Sequence, residues 1–389
     1  MVKEVVMGID VGTHAVKTVV AEKRNGDSLP YILATGTAPS HGLRKGFIIN
    51  HEDVSISIKN SVKQALEKIN LNLKKAFVSI DGGGLEGIRS KGSIVVARAD
   101  NEITESDLKR ALGQSETQLN RNSSSYLLNR EILHTFPISY KIDDEHLIGD
   151  PVGMKGEKLE IETLFATGHS QQTNYLVKSM EMAGIKVENV VAAPWATSHA
   201  VLTQKEKEVG CVLVNIGGDT SSIVVFEEGG PVSMEIVPIG SNHITYDITH
   251  AFQVLLEEAE SLKISYSNDS SVKRKLSGIV EPRLNDIFEF VGKHLNKIQR
   301  SGLMPGGIIL TGGGANLSGT DEVAKKALKL PSQLSQNKLP ENFDNEMANP
   351  LWSTAFGLCC LGLGEQNPIR KAGSKAKRTL LRLVKTFIP

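Results

Sequence analysis

Glycine-rich turns set after β-type runs recur three times along this chain, and their order constrains the fold more than any other feature. In the first, VVMGIDVG passes into AVKTVVAEK through Gly8-Ile9-Asp10-Val11-Gly12-Thr13. Glycine permits close backbone approach there, and the amides of such a turn cradle phosphate oxygens. Thr13 adds a hydroxyl donor and Lys17 a positive charge for phosphate. Asp10 would be repelled by phosphate at direct contact, so its natural role is to hold Mg²⁺ through water. The second turn, within GCVLVNIGGDTSSIVVF, repeats the arrangement with Gly217, Gly218, Asp219 and Thr220 as phosphate-binding candidates. The third, GGIILTGGGANL, places Gly312, Gly313 and Gly314 directly after a strand, followed by Asn316. A bare turn of this kind suits the flat face of a purine or ribose, with which side chains would collide. Each turn alone is as readily a structural hairpin as a site. Three in this order are hard to explain as turns alone.

Between them, strand-like and helix-like stretches alternate, which predicts an α/β fold. A helix is expected over about 51–69, with Ile56, Val62, Leu66 and Ile69 at helical spacing. Further helices are expected over about 104–120, 248–265 and 283–300. The two halves match in architecture (strand, glycine turn with a hydroxyl, strand, helices) without a fixed-period repeat. Residues 84–162 break the pattern and read as an inserted domain, and 331–350, rich in Pro, Asn, Gln and Ser, as a surface loop. Of the 3 Cys, Cys359 and Cys360 are neighbours in the apolar run LCCLGL, which fits small core residues in a reducing cytoplasm rather than a disulfide framework. No segment is apolar for long enough to cross a bilayer.

These three loops resemble the two phosphate motifs and the adenosine motif of the actin, Hsp70 and sugar-kinase superfamily. The resemblance implies two lobes with ATP and Mg²⁺ in the cleft between them. It also implies that a Glu-x-x-Lys pair on a helix borders the adenosine, a pattern that Glu260 and Lys263 match; on the residues alone, that pair is equally a solvated helix face. Within the superfamily, HTFPISYKID followed by IGDPVGMKGEKLEIE, together with EPRLNDIFEFV and GGIILTGGGANLSG, is similar to the FtsA family of cell-division proteins. That likeness covers essentially the whole chain. It implies an actin-like fold in which an FtsA-type insert replaces the usual small subdomain of the first lobe. The corresponding division is 1–83 and 163–198 (subdomain 1A), 84–162 (1C), 199–245 and 304–365 (2A), 246–303 (2B), a linker at 366–374 and a terminal helix at 375–389. The sequence departs from the usual second phosphate motif: Asn215 and Ser222 stand where acids are common, and Asp219 where glycine is. An amide neither neutralises a divalent ion nor orients water as a carboxylate does. ATP binding with at most slow hydrolysis is therefore expected, ATP serving as an assembly ligand. Asp219 either compensates for the missing acids or lies too close to phosphate. His199 reads as structural.

The formal charge of zero hides an asymmetry. After Glu365 there are seven basic residues and no acidic one, so the rest of the chain carries −7. In SKAKRTLLRLVKTFIP, Leu380, Leu381, Leu383, Val384, Phe387 and Ile388 fall on one arc of a helix, about 160° wide. Arg378, Arg382 and Lys385 fall on the other face. Such a helix lies in the headgroup layer of an anionic membrane, at roughly 1 kcal/mol per basic residue near the surface. A helix packed on the body would need an acidic groove, and an apolar stripe suits lipid better than nucleic acid.

The expectation is a filament-forming adaptor on the cytoplasmic face of the inner membrane, at the division site. The FtsA resemblance implies self-association, capture of the C-terminal tail of the tubulin-like FtsZ, and contact with other division proteins through the insert. Lys293, Lys297 and Arg300 are offered to that acidic tail. The alternatives are a PilM-like pilus-assembly adaptor, which would lack the terminal helix, and a kinase, for which no general base is found.

Overall fold

The computed structural model describes residues 4–24, 29–122, 127–337 and 345–364. The chain opens with three strands rich in Val, Ile and Ala, β1 (Val5–Val11), β2 (Ala15–Glu22) and β3 (Tyr31–Pro39), joined as an antiparallel meander. A short hairpin of β4 (Leu43–Arg44) and β5 (Phe47–Ile48) leads to α1 (His51–Glu67). Asn50 starts that helix by accepting the amides of Glu52 and Asp53. Val54, Ile58, Val62 and Ala65 bury its inner face; Ile56, expected in the stripe, lies outside it and is 57% exposed. β6 (Lys75–Ile80) then runs parallel to β1.

The inserted region forms its own antiparallel sheet. β7 (Glu86–Val95), α2 (Glu105–Asn122), β8 (Arg130–Ile142), β9 (Glu145–Leu147) and β10 (Lys158–His169) follow in chain order, and the strands lie in the order β7-β10-β8-β9. Ile94, Val96, Ile103, Ala111, Leu159 and Ile161 make its separate core. The β10 pairing continues to His169, opposite Arg130. After α3 (Ser170–Met182), β11 (Lys186–Ala192) pairs parallel with β6, giving a first-lobe order of β11-β6-β1-β2-β3.

α4 (Ala193–Val201) and α5 (Gln204–Val209) lead to the second lobe. There β12 (Cys211–Ile216), β13 (Ser221–Glu227) and β14 (Gly230–Val237) repeat the meander. Helices α6 (Ser241–Phe252), α7 (Leu256–Ser265) and α8 (Ser270–Lys297) precede β15 (Ile308–Thr311), α9 (Thr320–Leu328), β16 (Ser332–Leu334) and α10 (Ser353–Leu363). The order β14-β13-β12-β15-β16, with β15 parallel to β12 and β16 parallel to β15, is the first-lobe topology over again. The architectural match between the halves is thus a real duplication of connectivity.

Two helix expectations need correction. The helix expected at 248–265 is a pair, α6 and α7, broken where Gln253 turns left-handed. The one expected at 283–300 starts at Ser270, capped by Asp269, and ends at Lys297. Pro282 lies inside it. Helix α10 packs against both α4 and the first-lobe strands: a Cβ on Gly357 would fall 2.0 Å from Ala196 O, and one on Gly8 2.5 Å from Ala355 O. Gly8 therefore serves helix packing rather than phosphate approach. Cys359 is fully buried beside it, its thiol against Val19 O at 3.3 Å, as a small core residue.

Candidate functional site

A cavity of about 640 Å³ lies between the lobes, and all three glycine turns reach it. The β1–β2 turn supplies Asp10, Gly12, Thr13 and Lys17 to its lining, and the β12–β13 turn Gly217, Gly218 and Thr220. Strand register explains the first set. Asp10 stands directly opposite Lys17 across the β1–β2 ladder, and Lys17 Nζ donates to Asp10 Oδ2 at 3.3 Å. Ser79 on β6 donates to Asp10 Oδ1 at 2.8 Å and accepts the Val11 amide at 3.3 Å. Both Asp10 and Lys17 are only 8% exposed, so the carboxylate is fixed and aimed at the cleft.

The two turns touch. A Cβ on Gly218 would lie 2.8 Å from Thr13 Oγ1, and the Asp219 amide donates to that same hydroxyl at 3.1 Å. Asp219 itself corrects an expectation, because its carboxylate is not part of the cavity lining. Oδ1 accepts from Asn242 Nδ2 at 2.7 Å, and Oδ2 from the Lys45 amide, at the tip of the β4–β5 hairpin in the first lobe, at 2.8 Å. With both oxygens engaged, it joins the lobes. Ser222, on β13, is buried away from the cavity, and Asn215 lines it as an amide.

At the far end, Glu260 and Lys263 of α7 pair at 2.7 Å, three residues apart on one helix face. Lys263, 6% exposed, also donates to Thr245 Oγ1 at 2.9 Å and Ser241 O at 3.4 Å, and Thr245 donates to Glu260 at 2.6 Å. Burial raises the cost of ionising Glu260, but hydrogen bonds from Lys263 and Thr245 outweigh it and hold the carboxyl below its ordinary range. Burial lowers the Lys263 pKa against the opposing pull of Glu260. This pair is built into the cavity wall and is not a solvated helix face.

Gly312, Gly313 and Gly314 line the same end with Asn316, whose Nδ2 donates to Asn349 Oδ1 at 2.8 Å. The physical reason for two of these glycines differs from the one expected. A Cβ on Gly312, at φ +87°, would fall 2.2 Å from Asn215 Oδ1, and one on Gly314 2.4 Å from Ile216 Cγ2. The protein's own β12, before any ligand, excludes side chains at both. Gly313 has no such neighbour; Leu351 Cδ1, at 3.2 Å, is its nearest contact.

Sequence reasoning missed several groups at this site: Ser79, Asp81, Lys45, Asn242, Thr245 and Asn349. Asp81 follows β6 and lines the cavity beside Asp10. Burial pushes its pKa up to about 6, eased by the Gly82 amide at 2.8 Å and reinforced by the nearby charge of Asp10. Among the described residues, no group of three or more His, Cys, Asp or Glu could hold a metal ion by itself.

The basic residues offered to a partner are partly occupied. Lys293 pairs with Glu289 at 2.7 Å, Lys297 lies 3.7 Å from Glu235, and Arg300, beyond the end of α8, binds Glu227. His199 stacks edge-on against Trp195 with ring centroids 4.6 Å apart, a structural position. The linker at 366–374 and the terminal helix at 375–389, with Leu380, Leu381, Arg382, Leu383, Val384, Lys385, Phe387 and Ile388, lie outside the described residues. Among the described residues, no helix is long and apolar enough to cross a membrane.

Known proteins share this arrangement. The family model described as "Cell division protein FtsA" matches residues 212–357, and that of the "SHS2 domain inserted in FTSA" matches 82–167. The fold is that of the PilM chain of the PilM–PilN type IV pilus biogenesis complex (TM-score 0.70, 15% identity, 92% of this chain and 98% of that one). It also aligns with MreB5 of Spiroplasma citri bound to ADP (TM-score 0.55, 12% identity, 96% and 99%). The architecture is thus the actin-like ATPase fold with an SHS2 insert. The cell division protein FtsA of Borreliella burgdorferi is 30% identical across 97% of this chain and 96% of its own length. On that extent of likeness, the chain belongs to the FtsA family of cell-division proteins.

Proposed function

We propose that the chain binds Mg·ATP between its lobes and, as an ATP-gated adaptor, ties the polymer of the tubulin-like FtsZ to the cytoplasmic face of the inner membrane. The observation that carries the nucleotide reading is the meeting of Gly218 and Thr13, turns from opposite lobes, beside the fixed carboxylate of Asp10. Phosphates lying there would meet the amides of Gly12, Gly217 and Gly218, the hydroxyls of Thr13 and Thr220, and Lys17 once it leaves Asp10. Asp10 suits a hydrated Mg²⁺ brought in with the phosphates, since a hard ion that keeps its waters needs only one or two protein carboxylates. Adenosine would take the end bounded by Glu260, Lys263, Gly313 and Asn316.

Family membership supports the adaptor role, self-association into actin-like filaments and contact with other division proteins through the SHS2 insert. The apolar arc of 380–388, with Arg378, Arg382 and Lys385 on the opposite face, supports attachment to anionic lipid. For the FtsZ tail we favour the α8 face carrying Lys293 and Lys297, with Arg300 at its end.

Co-sedimentation with anionic vesicles tests the adaptor reading, using the full chain and a chain ending at Gln366, each with and without Mg·ATP. The full chain should pellet and bring FtsZ with it, less so at high salt, and the shortened chain should stay in the supernatant. Equal pelleting of both removes the membrane role of the terminal residues.

A further inference from the structure

Among the described residues, the second lobe offers the cavity no free carboxylate near the glycine turns: Asn215 is an amide, Ser222 is buried elsewhere and both oxygens of Asp219 are engaged. The first lobe offers one that no motif announced. β6 lies beside β1 with Ile9 opposite Val78, so Asp10 neighbours Ser79, to which it is hydrogen-bonded. Asp81 comes two residues later, about 7 Å further toward the cleft, level with the Gly12 turn.

Only one oxygen of Asp81 has a partner among the described residues, the Gly82 amide on Oδ1. The residue itself lines the cavity. Its place is rigidly set. Gly82, at φ +97°, packs backbone to backbone on Gly46, and a Cβ there would fall 2.3 Å from Gly46 O. Gly46 belongs to the same hairpin whose Lys45 amide reaches Asp219. Asp81 therefore stands where the hairpin, the first phosphate turn and the second lobe converge. A carboxylate with no cation beside it is costly in such a spot, and phosphate oxygens would repel it at direct contact. A water molecule between the two satisfies both.

We propose that Asp81 is the catalytic carboxylate of a slow ATP hydrolysis. It accepts a hydrogen bond, and then the proton, from the water whose oxygen attacks the γ-phosphorus. The new P–O bond forms as the bond to the β-phosphate oxygen breaks, ADP leaves with that electron pair, and Asp81 releases the proton to solvent. The inference rests on the nucleotide reading above.

Asp81→Asn keeps the shape and the bond to Gly82 while removing the base. Single-turnover phosphate release and equilibrium binding of a fluorescent ATP analogue are measured on the full chain with Mg²⁺, for wild type, Asp81→Asn and Asp81→Glu. Phosphate release should fall about 100-fold in Asp81→Asn, binding should change less than about 3-fold, and Asp81→Glu should recover part of the rate. The nucleotide-free Asp81→Asn protein should also melt higher than wild type at pH 7.5, since a desolvated charge has gone. Unchanged release in Asp81→Asn, or a wild type that binds the analogue and releases no phosphate, overturns the assignment. So does loss of binding in step with release, which would make Asp81 a binding group. A wild type that fails to bind at all sinks the nucleotide reading instead.

Discussion

Asp219 Oδ2 accepts the backbone amide of Lys45 at 2.8 Å, a bond from the second phosphate turn to the first-lobe hairpin. Asn242 holds the other oxygen at 2.7 Å, so the carboxylate is oriented before it crosses the cleft. A hydrogen bond to an ionised acceptor contributes about 1.5–3 kcal/mol. Asp219→Ala should therefore raise amide exchange across residues 43–48 by about 10-fold or more in hydrogen–deuterium exchange, without nucleotide. Exchange unchanged there would mean that the hairpin is held by its packing on Gly82 alone.

Gly312 and Gly313 separate fold from site. Gly312→Ala forces a Cβ against Asn215 at a left-handed φ, and should cost about 2 kcal/mol or more of stability in thermal or denaturant melts. Gly313→Ala meets only the end of Leu351, so it should melt like wild type yet bind ATP about 10-fold more weakly. Two variants that behave alike would show that the turn has one role rather than two.

His134 on β8 gives a pH signature. It accepts the Ala192 amide on Nε2 at 3.0 Å, which fixes the neutral form, and burial pulls its pKa down to about 4. The unfolded chain takes up that proton near pH 6.5 and the native chain only near 4. The contribution is therefore complete above pH 6.5 and is lost as pH falls toward 4. His134→Phe should lower Tm at pH 7.5 by losing the acceptor, at about 1–3 kcal/mol, and the gap to wild type should narrow at pH 5. Parallel Tm curves would contradict the assignment.

Lys293, Lys297 and Arg300 test the face proposed for the acidic tail. Reversing all three should lower affinity for an acidic FtsZ tail peptide by about 10-fold and flatten its salt dependence, measured by fluorescence anisotropy. Affinity unchanged by the reversal would move the binding face elsewhere.

The sequence carried the large features because they rest on local physics. Paired strands interrupted by glycine, hydroxyl and acid leave a pattern that survives without any tertiary contact, and so both glycine turns that line the cavity were legible. Pairs such as Asp10 with Lys17 are fixed by ladder register once β1 and β2 are recognised. What stayed hidden depends on elements distant in the chain. Nothing near Asp219 reveals that its partner is the amide of residue 45, and nothing in SIDGGG shows that Asp81 faces Asp10. Gly312 and Gly314 were read as making room for a ligand, whereas Asn215 and Ile216 already require them. The first half of α8, from Ser270, was missed; there Pro282 is tolerated inside a helix whose Leu276, Val280 and Leu284 are buried on either side.

The most direct test of a nucleotide cleft between duplicated lobes is hydrogen–deuterium exchange of the full chain with and without Mg·ATP. A nucleotide bound there should protect 11–15, 217–220 and 312–317 simultaneously, three segments remote in sequence that line one cavity. Protection confined to one of them, or none at saturating nucleotide, would contradict it.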